Sequence, residues 1–566
     1  MEDGNSIMQE MEELWKKNYP PGTRREFSIP ERTLYSVLQD VALRNPNRVS
    51  LKFIGKQYTY SELKAMVDDA SEFLKANGIN PGDRVGIMLP NSPAYVIMFF
   101  AICKVGAVVV QINPLYTSFE ISTELSDSNS DVIIILDDFY EKVETLYKKY
   151  LNRIIICKIQ DYLSGPVKGF YNLGRALRRN RIKIPSDKDI IFYKFDKKTG
   201  KESREAKIDP VSTPAIIQYT GGTTGIPKGA ILTHQNLISN VYQINEWVPD
   251  SYKKEAEVLA AIPFFHVYGM MTAMLFPIFN GMPVTIIPDP RNTKLIISTM
   301  KKGKNITFPG IPTMYHSIIK NLKGDHKALS NTSLLFSGAA PMPEELENQF
   351  TSLTSVIIIE GYGLSESSPV VSITPVDPSK RKRGTVGFPI PNTSIRIVDI
   401  ENGSKIVGIG EPGEITVKGP QVMLGYLNRK EETGQVLRDG WLYTGDIGFV
   451  DEEGYIHIID RKKDMIIAGG YNIYPREIEE ILLKNEKIED AAVIGIKDLH
   501  RGETVKAYIV LKKDQIMTEK EVISYCSEKL AIYKIPKSVE FVDSLPKSLV
   551  GKVLRRELAE RNEKRA

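Results

Sequence analysis

The sequence predicts an α/β protein in one large and one small part, and three observations carry that expectation. The chain has 566 residues, more than one hydrophobic core organises, so two or more domains are expected. From residue 58 onward, short apolar runs alternate with helical patterns, the rhythm of a mostly parallel sheet covered on both faces. Near residue 461 the pattern becomes a compact α+β one. The expected division is 1–460 and 461–566.

Taken in order, residues 1–35 are polar, with Pro-Pro-Gly at 20–22, and read as a loose lead-in. Residues 61–77 predict a helix, with Ser61 as N-cap ahead of Leu63, Met66 and Val67. A strand follows at 84–89, a helix at 93–105 and a strand at 107–112, then further strands at 131–136 and 153–157. Residues 211–460 read as a second α/β unit, with strands at 332–336 and 355–359. The small part offers strands at 491–496 and 505–511, a helix at 518–530, the stretch 534–541 and a charged tail.

Composition narrows the function classes. Hydrophobic residues make up 42% and charged residues 25%, as in a soluble globular protein. A formal net charge of +4 gives no nucleic-acid signal. Cys103, Cys157 and Cys526 lie too far apart in sequence for metal-ligand spacing or a disulfide framework, which fits a reducing cytoplasm. The start, Met-Glu-Asp-Gly, shows no signal-peptide pattern. The apolar runs 94–110 and 270–287 are interrupted by charge, Gly and Pro, so neither reads as a membrane span.

Residues 165–183 carry Lys168, Arg175, Arg178, Arg179, Arg181 and Lys183 among Phe170, Tyr171, Leu173 and Leu177. A solvated basic helix is the slightly favoured reading. The sharper one is peripheral contact with an anionic membrane, and co-sedimentation with anionic vesicles at low salt separates the two.

The centre of the chain is 216–229. An apolar strand runs into Thr220, Gly221, Gly222, Thr223, Thr224 and Gly225, then Pro227, Lys228 and Gly229. Glycines let a backbone come close to a ligand. The hydroxyls and the lysine suit a polyphosphate. It is not a Walker A loop, because Lys228 is preceded by Pro227 and followed by Gly229. Further on stand Ala-Ile-Pro-Phe-Phe-His-Val-Tyr-Gly (261–269), Ser-Gly-Ala-Ala-Pro (337–341), Glu-Gly-Tyr-Gly-Leu-Ser-Glu (360–366) and Trp-Leu-Tyr-Thr-Gly-Asp (441–446). Asp-Arg-Lys-Lys-Asp (460–464), Gly-Gly-Tyr-Asn-Ile (469–473) and Leu-Pro-Lys-Ser-Leu-Val-Gly-Lys-Val-Leu-Arg-Arg (545–556) follow. Tyr362 offers a flat face for a base, and Glu366 a hard oxygen for Mg²⁺. Singly, each has a bland reading: a core histidine at 266, a capping Asp at 446, a solvated lysine near the end.

Together, in this order and over residues 30–560, they resemble the adenylate-forming superfamily, most nearly its long-chain fatty acyl-CoA synthetase branch. The resemblance implies a large domain of two sheets with helices plus a distorted β-barrel part, and a small mobile α+β domain hinged at Lys463, where other members often carry Asp. It implies ATP, Mg²⁺ and coenzyme A as cofactor and co-substrates, and a fatty or other apolar acid as partner. It also implies roles. The 220–225 loop and Lys228 meet the phosphates, and Gly338, Ala339, Ala340, Glu360, Gly361, Tyr362 and Gly363 border adenine and acyl group. Ser365, where the family has Thr, reaches a phosphate. Glu366 and Thr220 serve the metal, Asp446 the ribose, Ile458 and Arg461 the nucleotide. Gly469 and Gly470 line the pantetheine path, His266 gates the thiol channel, and Lys552 is the adenylating lysine. Residues 270–278 and 310–314 are expected to line the acyl pocket. The family leaves room for a homodimer. Rival readings are a ligase for another apolar or aryl acid, one feeding a carrier protein, a luciferase-like oxidase, and a catalytically dead binding protein.

Overall fold

The computed structural model describes residues 2–169, 171, 182–195, 204–220, 227–322, 324–354, 356, 358–468, 471–498, 501–548 and 551–563. Among them the strands form four sheets. Val, Ile and Leu runs supply the central strands, as expected where a sheet is buried on both faces.

The first sheet has eight strands. Its parallel part runs in the spatial order Pro214–Thr220, Val108–Gln111, Arg84–Met88, Val132–Leu136, Arg153–Cys157 and Ile190–Phe192. Strand Lys228–Thr233 folds back antiparallel on Pro214–Thr220, with Thr220 opposite Lys228, and Gly425–Tyr426 adds the edge. The second sheet has nine strands, and its parallel core runs from Ile358–Gly363 through Thr332–Ser337, Ile306–Gly310, Glu257–Ala260 and Val284–Ile286 to Val49–Phe53. Helix Pro93–Val105 is buried along its whole length, the mark of a helix packed on all sides. Beside it, Tyr95 Oη donates to Phe264 O at 2.9 Å and Asn91 Nδ2 to Ile262 O at 2.9 Å, tying the strand ends of both sheets together. The third sheet is antiparallel and includes Gly413–Lys418, Trp441–Val450 and Ile456–Arg461. The fourth, Ile466–Ala468, Tyr471–Ile473, Ile488–Asp498, Gly502–Leu511 and Ser538–Phe541, has its own helices and core and forms the small α+β part.

Three expectations are corrected. Residues 1–35 are no loose lead-in: Glu2–Asn18 and Leu34–Arg44 are helices. Met11 and Trp15 are fully buried, and Trp15 Nε1 donates to Gly454 O at 2.9 Å. A polar average hid two large apolar residues four positions apart on one helical face. The third helix is Tyr60–Ala76, capped by Thr59 in a reciprocal box with Glu62, not by Ser61. Thr59 wins because Glu62 stands three residues on and can return a bond to its N–H. Finally, 211–460 is not a separate unit. Strand Pro214–Thr220 belongs to the first sheet, while Val49–Phe53 belongs to the second. Elsewhere the predicted strands and helices sit within a few residues of the observed ones.

Of the basic segment 165–183, residues 170 and 172–181 lie outside the described residues. Among the described residues no helix is long and apolar enough to cross a membrane.

Candidate functional site

The site forms where the ends of the first three sheets meet the small part. Gly221, Gly222, Thr223, Thr224 and Gly225 lie outside the described residues, as do Gly469 and Gly470. Their flanks are clear. Thr220 ends one strand and Lys228 opens the next, and the Thr220 hydroxyl donates to Lys228 O at 3.4 Å. Lys228 Nζ stands 5.4 Å from the centre of the Tyr426 ring. Tyr426 Oη in turn donates to Glu366 Oε1 at 2.7 Å. The short turn Ser365–Ser367 is held there by its backbone, since Met423 N donates to Glu366 O at 2.8 Å and Leu424 N to Ile231 O at 3.0 Å. The phosphate-loop flank and the Glu366 carboxylate therefore share one wall.

The second group is built on two facing strands. Asp446 stands directly opposite Arg461, and Arg461 Nε is 2.6 Å from Asp446 Oδ1. Tyr362 Oη donates to Asp446 Oδ2 at 2.7 Å. Asp446 is 3% exposed, and both of its oxygens have partners, as a buried carboxylate requires. A carboxylate has about four acceptor positions, which leaves capacity for two ligand hydroxyls. The Arg461 charge also acts on Glu366 and Tyr426, so the two groups belong to one field. Ile458 lies three residues before Arg461 on the same strand.

Lys552 joins them from the small part. It sits in a tight turn in which Ser548 N donates to Lys552 O at 2.8 Å and Lys552 N to Ser548 Oγ at 3.2 Å. Gly551 has φ +74°, and a Cβ there would stand 3.1 Å from the Thr313 side chain. Glycine is what lets this turn press on helix Pro312–Leu322. Arg461 lowers the Lys552 ammonium most, lost hydration next, to a pKa of about 8; Asp446 opposes them and Lys463 adds to them. His266 is lowered to about 4 by burial and then by the Lys552 charge. Its Nδ1 accepts from Tyr268 N at 3.2 Å, and at neutral pH it is an uncharged ring. Lys463 is exposed.

On the far side, Gly338 packs on the Tyr268 ring, 3.1 Å from the position a Cβ would take. Ala339 has φ +65°, a strained conformation for a residue with a Cβ, and Ala340 follows it half-buried. Gly363 is pressed so closely on Pro369 O that a Cβ would lie 1.8 Å from it. Glu360 is raised to about 7, chiefly by burial, while the bond from Met342 N at 3.2 Å opposes the shift. Gly361 walls a small apolar cavity of about 30 Å³, whose other lining includes Ile244, Tyr268, Thr272, Phe276, Phe336 and Ile373. Thr272 lies in a π-helical stretch, Met270–Leu275, and such turns are frequent at functional sites. Within the expected pocket 270–278, Thr272 and Phe276 line this cavity. The stretch 310–314 does not, and touches it only through Gly310 O, which accepts from Tyr268 Oη at 3.1 Å. Ala273 is fully buried but is not part of its wall.

Sequence reasoning missed Tyr426, Glu414 and Arg476. Tyr426 ends the run Gly-Pro-Gln-Val-Met-Leu-Gly-Tyr at 419–426, which resembles the long-chain branch but carries no role for its tyrosine. Glu414 accepts from Gly445 N at 3.1 Å and from Lys462 Nζ at 2.9 Å, which fixes the turn before Asp446. No local pattern announces either, because each works across the sheet.

Comparison with known proteins gives the family. The AMP-binding enzyme family matches residues 38–427, and the AMP-binding enzyme C-terminal domain matches residues 477–552. The chain belongs to this family, the adenylate-forming superfamily. Within it, the chain is 42% identical over 553 residues to the long-chain-fatty-acid–CoA ligase of Bacillus subtilis (strain 168), covering 96% of this chain and 97% of that one. It is similar in structure to ATP-bound MatB from Rhodopseudomonas palustris, with a TM-score of 0.81 at 28% identity over 94% of this chain and 99% of that one. To apo MatB, at the same identity and coverage, the TM-score is 0.71.

Proposed function

We propose that this protein activates a fatty acid with ATP and passes the acyl group to coenzyme A. By homology it is an AMP-forming acid–thiol ligase of the long-chain fatty acid–CoA ligase type. The observation that carries the mechanism is the chain Tyr362–Asp446–Arg461 with Lys552 brought against it from the small part. The better superposition on the ATP-bound relative supports reading this arrangement as the adenylating one.

In the first step the substrate carboxylate oxygen attacks the α-phosphorus of ATP, the bond to the β-phosphate oxygen breaks, and pyrophosphate leaves. Negative charge gathers on the α-phosphate oxygens. Lys552 and Arg461 offset it without moving, which is where preorganised charge contributes most. Asp446 accepts the ribose hydroxyls, Tyr362 lies along adenine, and Thr220, Lys228 and Ser365 meet the phosphates together with the 221–225 loop. Glu366 and the Thr220 hydroxyl are hard oxygen donors, and among the described residues only Tyr426 shares the Glu366 carboxylate. They fit Mg²⁺, which prefers one or two such ligands beside phosphates and water. When bound, Mg²⁺ neutralises phosphate charge. The apolar cavity behind Gly361 takes the alkyl chain.

In the second step the thiol sulfur attacks the acyl carbon, its proton passes to solvent, the bond from the acyl carbon to the phosphate oxygen breaks, and AMP leaves. Uncharged His266 gates the thiol path. The domain division at 460/461 and a rotation about Lys463 are part of this proposal: the turn bearing Lys552 departs and the segment containing Gly469 and Gly470 takes its place.

An acid panel tests the substrate class. With ATP and coenzyme A present, AMP release is expected for alkyl acids of graded length and not for polar diacids. Turnover confined to an aryl acid, or to a carrier-protein thiol instead of coenzyme A, contradicts the fatty-acid reading.

A further inference from the structure

Helix Pro475–Leu483 opens the first helical layer of the small part, and its second residue, Arg476, holds the large part twice. Arg476 Nη1 donates to Ile458 O at 2.9 Å. The backbone N of Arg476 donates to Asp460 Oδ2 at 2.8 Å. Both acceptors belong to strand Ile456–Arg461, which is paired to Trp441–Val450 in the third sheet. The same strand ends in Arg461, the residue beside Asp446 and Lys552.

The guanidinium is not free to wander. Its Nε donates to Glu480 Oε1 at 3.0 Å, one turn along the same helix, and its side chain is 22% exposed. Asp460 is fixed from the other side, because its Oδ1 accepts from Arg461 N at 2.7 Å. The Arg476 charge also reaches Glu360 at the adenine end of the site. Residues 462–474 connect strand to helix and contain Lys463. The rotation about Lys463 proposed above would move the helix away from the strand and break both Arg476 contacts.

We infer that Arg476 is a positioning residue that clamps the small part in the arrangement bringing Lys552 to Arg461 and Asp446, and so favours adenylation over thioester formation. This rests on the two-arrangement reading above. The guanidinium contact is charge-assisted and exists in one arrangement only, so its loss shifts the balance between the two. Arg476→Ala removes that contact and leaves the backbone bond to Asp460 in place. Arg476→Lys keeps a cation but loses the planar fork, so partial rescue is expected.

The test measures each half-reaction alone in wild type, Arg476→Ala, Arg476→Lys and Lys552→Ala. Arg476→Ala is expected to lower carboxylate-dependent pyrophosphate exchange about tenfold, the worth of one charge-assisted hydrogen bond. Thioester formation from supplied acyl-adenylate is expected to stay unchanged or rise, and Arg476→Lys to recover part of the exchange. A spin-label pair at Lys294→Cys and Lys520→Cys reads the arrangement directly. Both positions are exposed while the three native cysteines are buried. With ATP bound, Arg476→Ala is expected to shift population to a second distance. An equal fall in both half-reactions, or no change in either, overturns the inference, as does an unshifted distance distribution. If Lys552→Ala itself fails to separate the half-reactions, the two-arrangement reading falls. If Lys552→Ala separates them and Arg476→Ala does not, only the role of Arg476 falls.

Discussion

Lys552 carries the smallest-scale argument. Its charge is held down by Arg461 first and by lost hydration second, to about 8. The protonated form is present below that value and lost as pH rises through it. An adenylating lysine must be charged, so kcat/KM for ATP in pyrophosphate exchange is expected to fall with a basic limb near pH 8. That profile reports the free enzyme. Bound triphosphate favours the ammonium, so the limb in kcat should lie higher. Thioester formation from supplied acyl-adenylate should lack it. A pyrophosphate-exchange profile flat from pH 7 to about 10 would show that this ammonium does not serve the step. The same shift makes the lysine a stability cost below pH 8, relieved between there and its ordinary value of 10.5, where the unfolded chain holds the proton more tightly. At this scale the sequence was informative for residues whose motif carries a role and silent for those that act through contacts across the fold. Asp446, Arg461, Glu366 and Lys552 could be named from motifs. Tyr426 and Arg476 could not, because a hydrogen bond across 60 residues, as from Tyr426 to Glu366, leaves no local trace.

Elements were legible where their signals are local. Helix Pro93–Val105 has Ser92 as its N-cap, Pro at its first position and Gly106 in a left-handed C-cap, each readable in one dimension. Strands Val108–Gln111 and Val132–Leu136 announce themselves by β-branched runs. What a run does not name is its partner. The exchange of Val49–Phe53 into one sheet and Pro214–Thr220 into the other depends on crossovers that only the folded core decides. The first helix shows the same limit. Its polar surface suggested a tail, yet Trp15 and Met11 seat it against the third sheet. Trp15→Ala should therefore lose about 3–5 kcal/mol, the usual range for emptying a buried aromatic site. It should also leave Gly454 O without its donor. An urea midpoint lower than wild type, with the unfolding slope kept, is expected. A midpoint equal to wild type would return residues 2–18 to the status of a loose lead-in.

At the scale of the whole molecule, three sheets provide a nucleotide wall and an apolar cavity, and a small part brings a lysine to their junction. The fold class and the two-part plan were legible because the motif blocks keep their order along nearly the entire chain. The cavity's walls were only half legible. Ile244, Phe336 and Ile373 come from a helix and two strands far apart in sequence, and tunnel depth follows from how they pack, not from any run of residues. The two-part plan has a kinetic consequence. On the proposed mechanism one site serves two reactions with different groups, so removing a group needed for one should spare the other.

Lys552→Ala, assayed in both half-reactions on the same folded preparation, tests this most directly. Carboxylate-dependent pyrophosphate exchange should drop by at least about a hundredfold, in the range for removing one charge-stabilising group, while thioester formation from supplied acyl-adenylate and coenzyme A continues near the wild-type rate. Equal loss of both, or exchange that persists, would contradict an arriving and departing lysine.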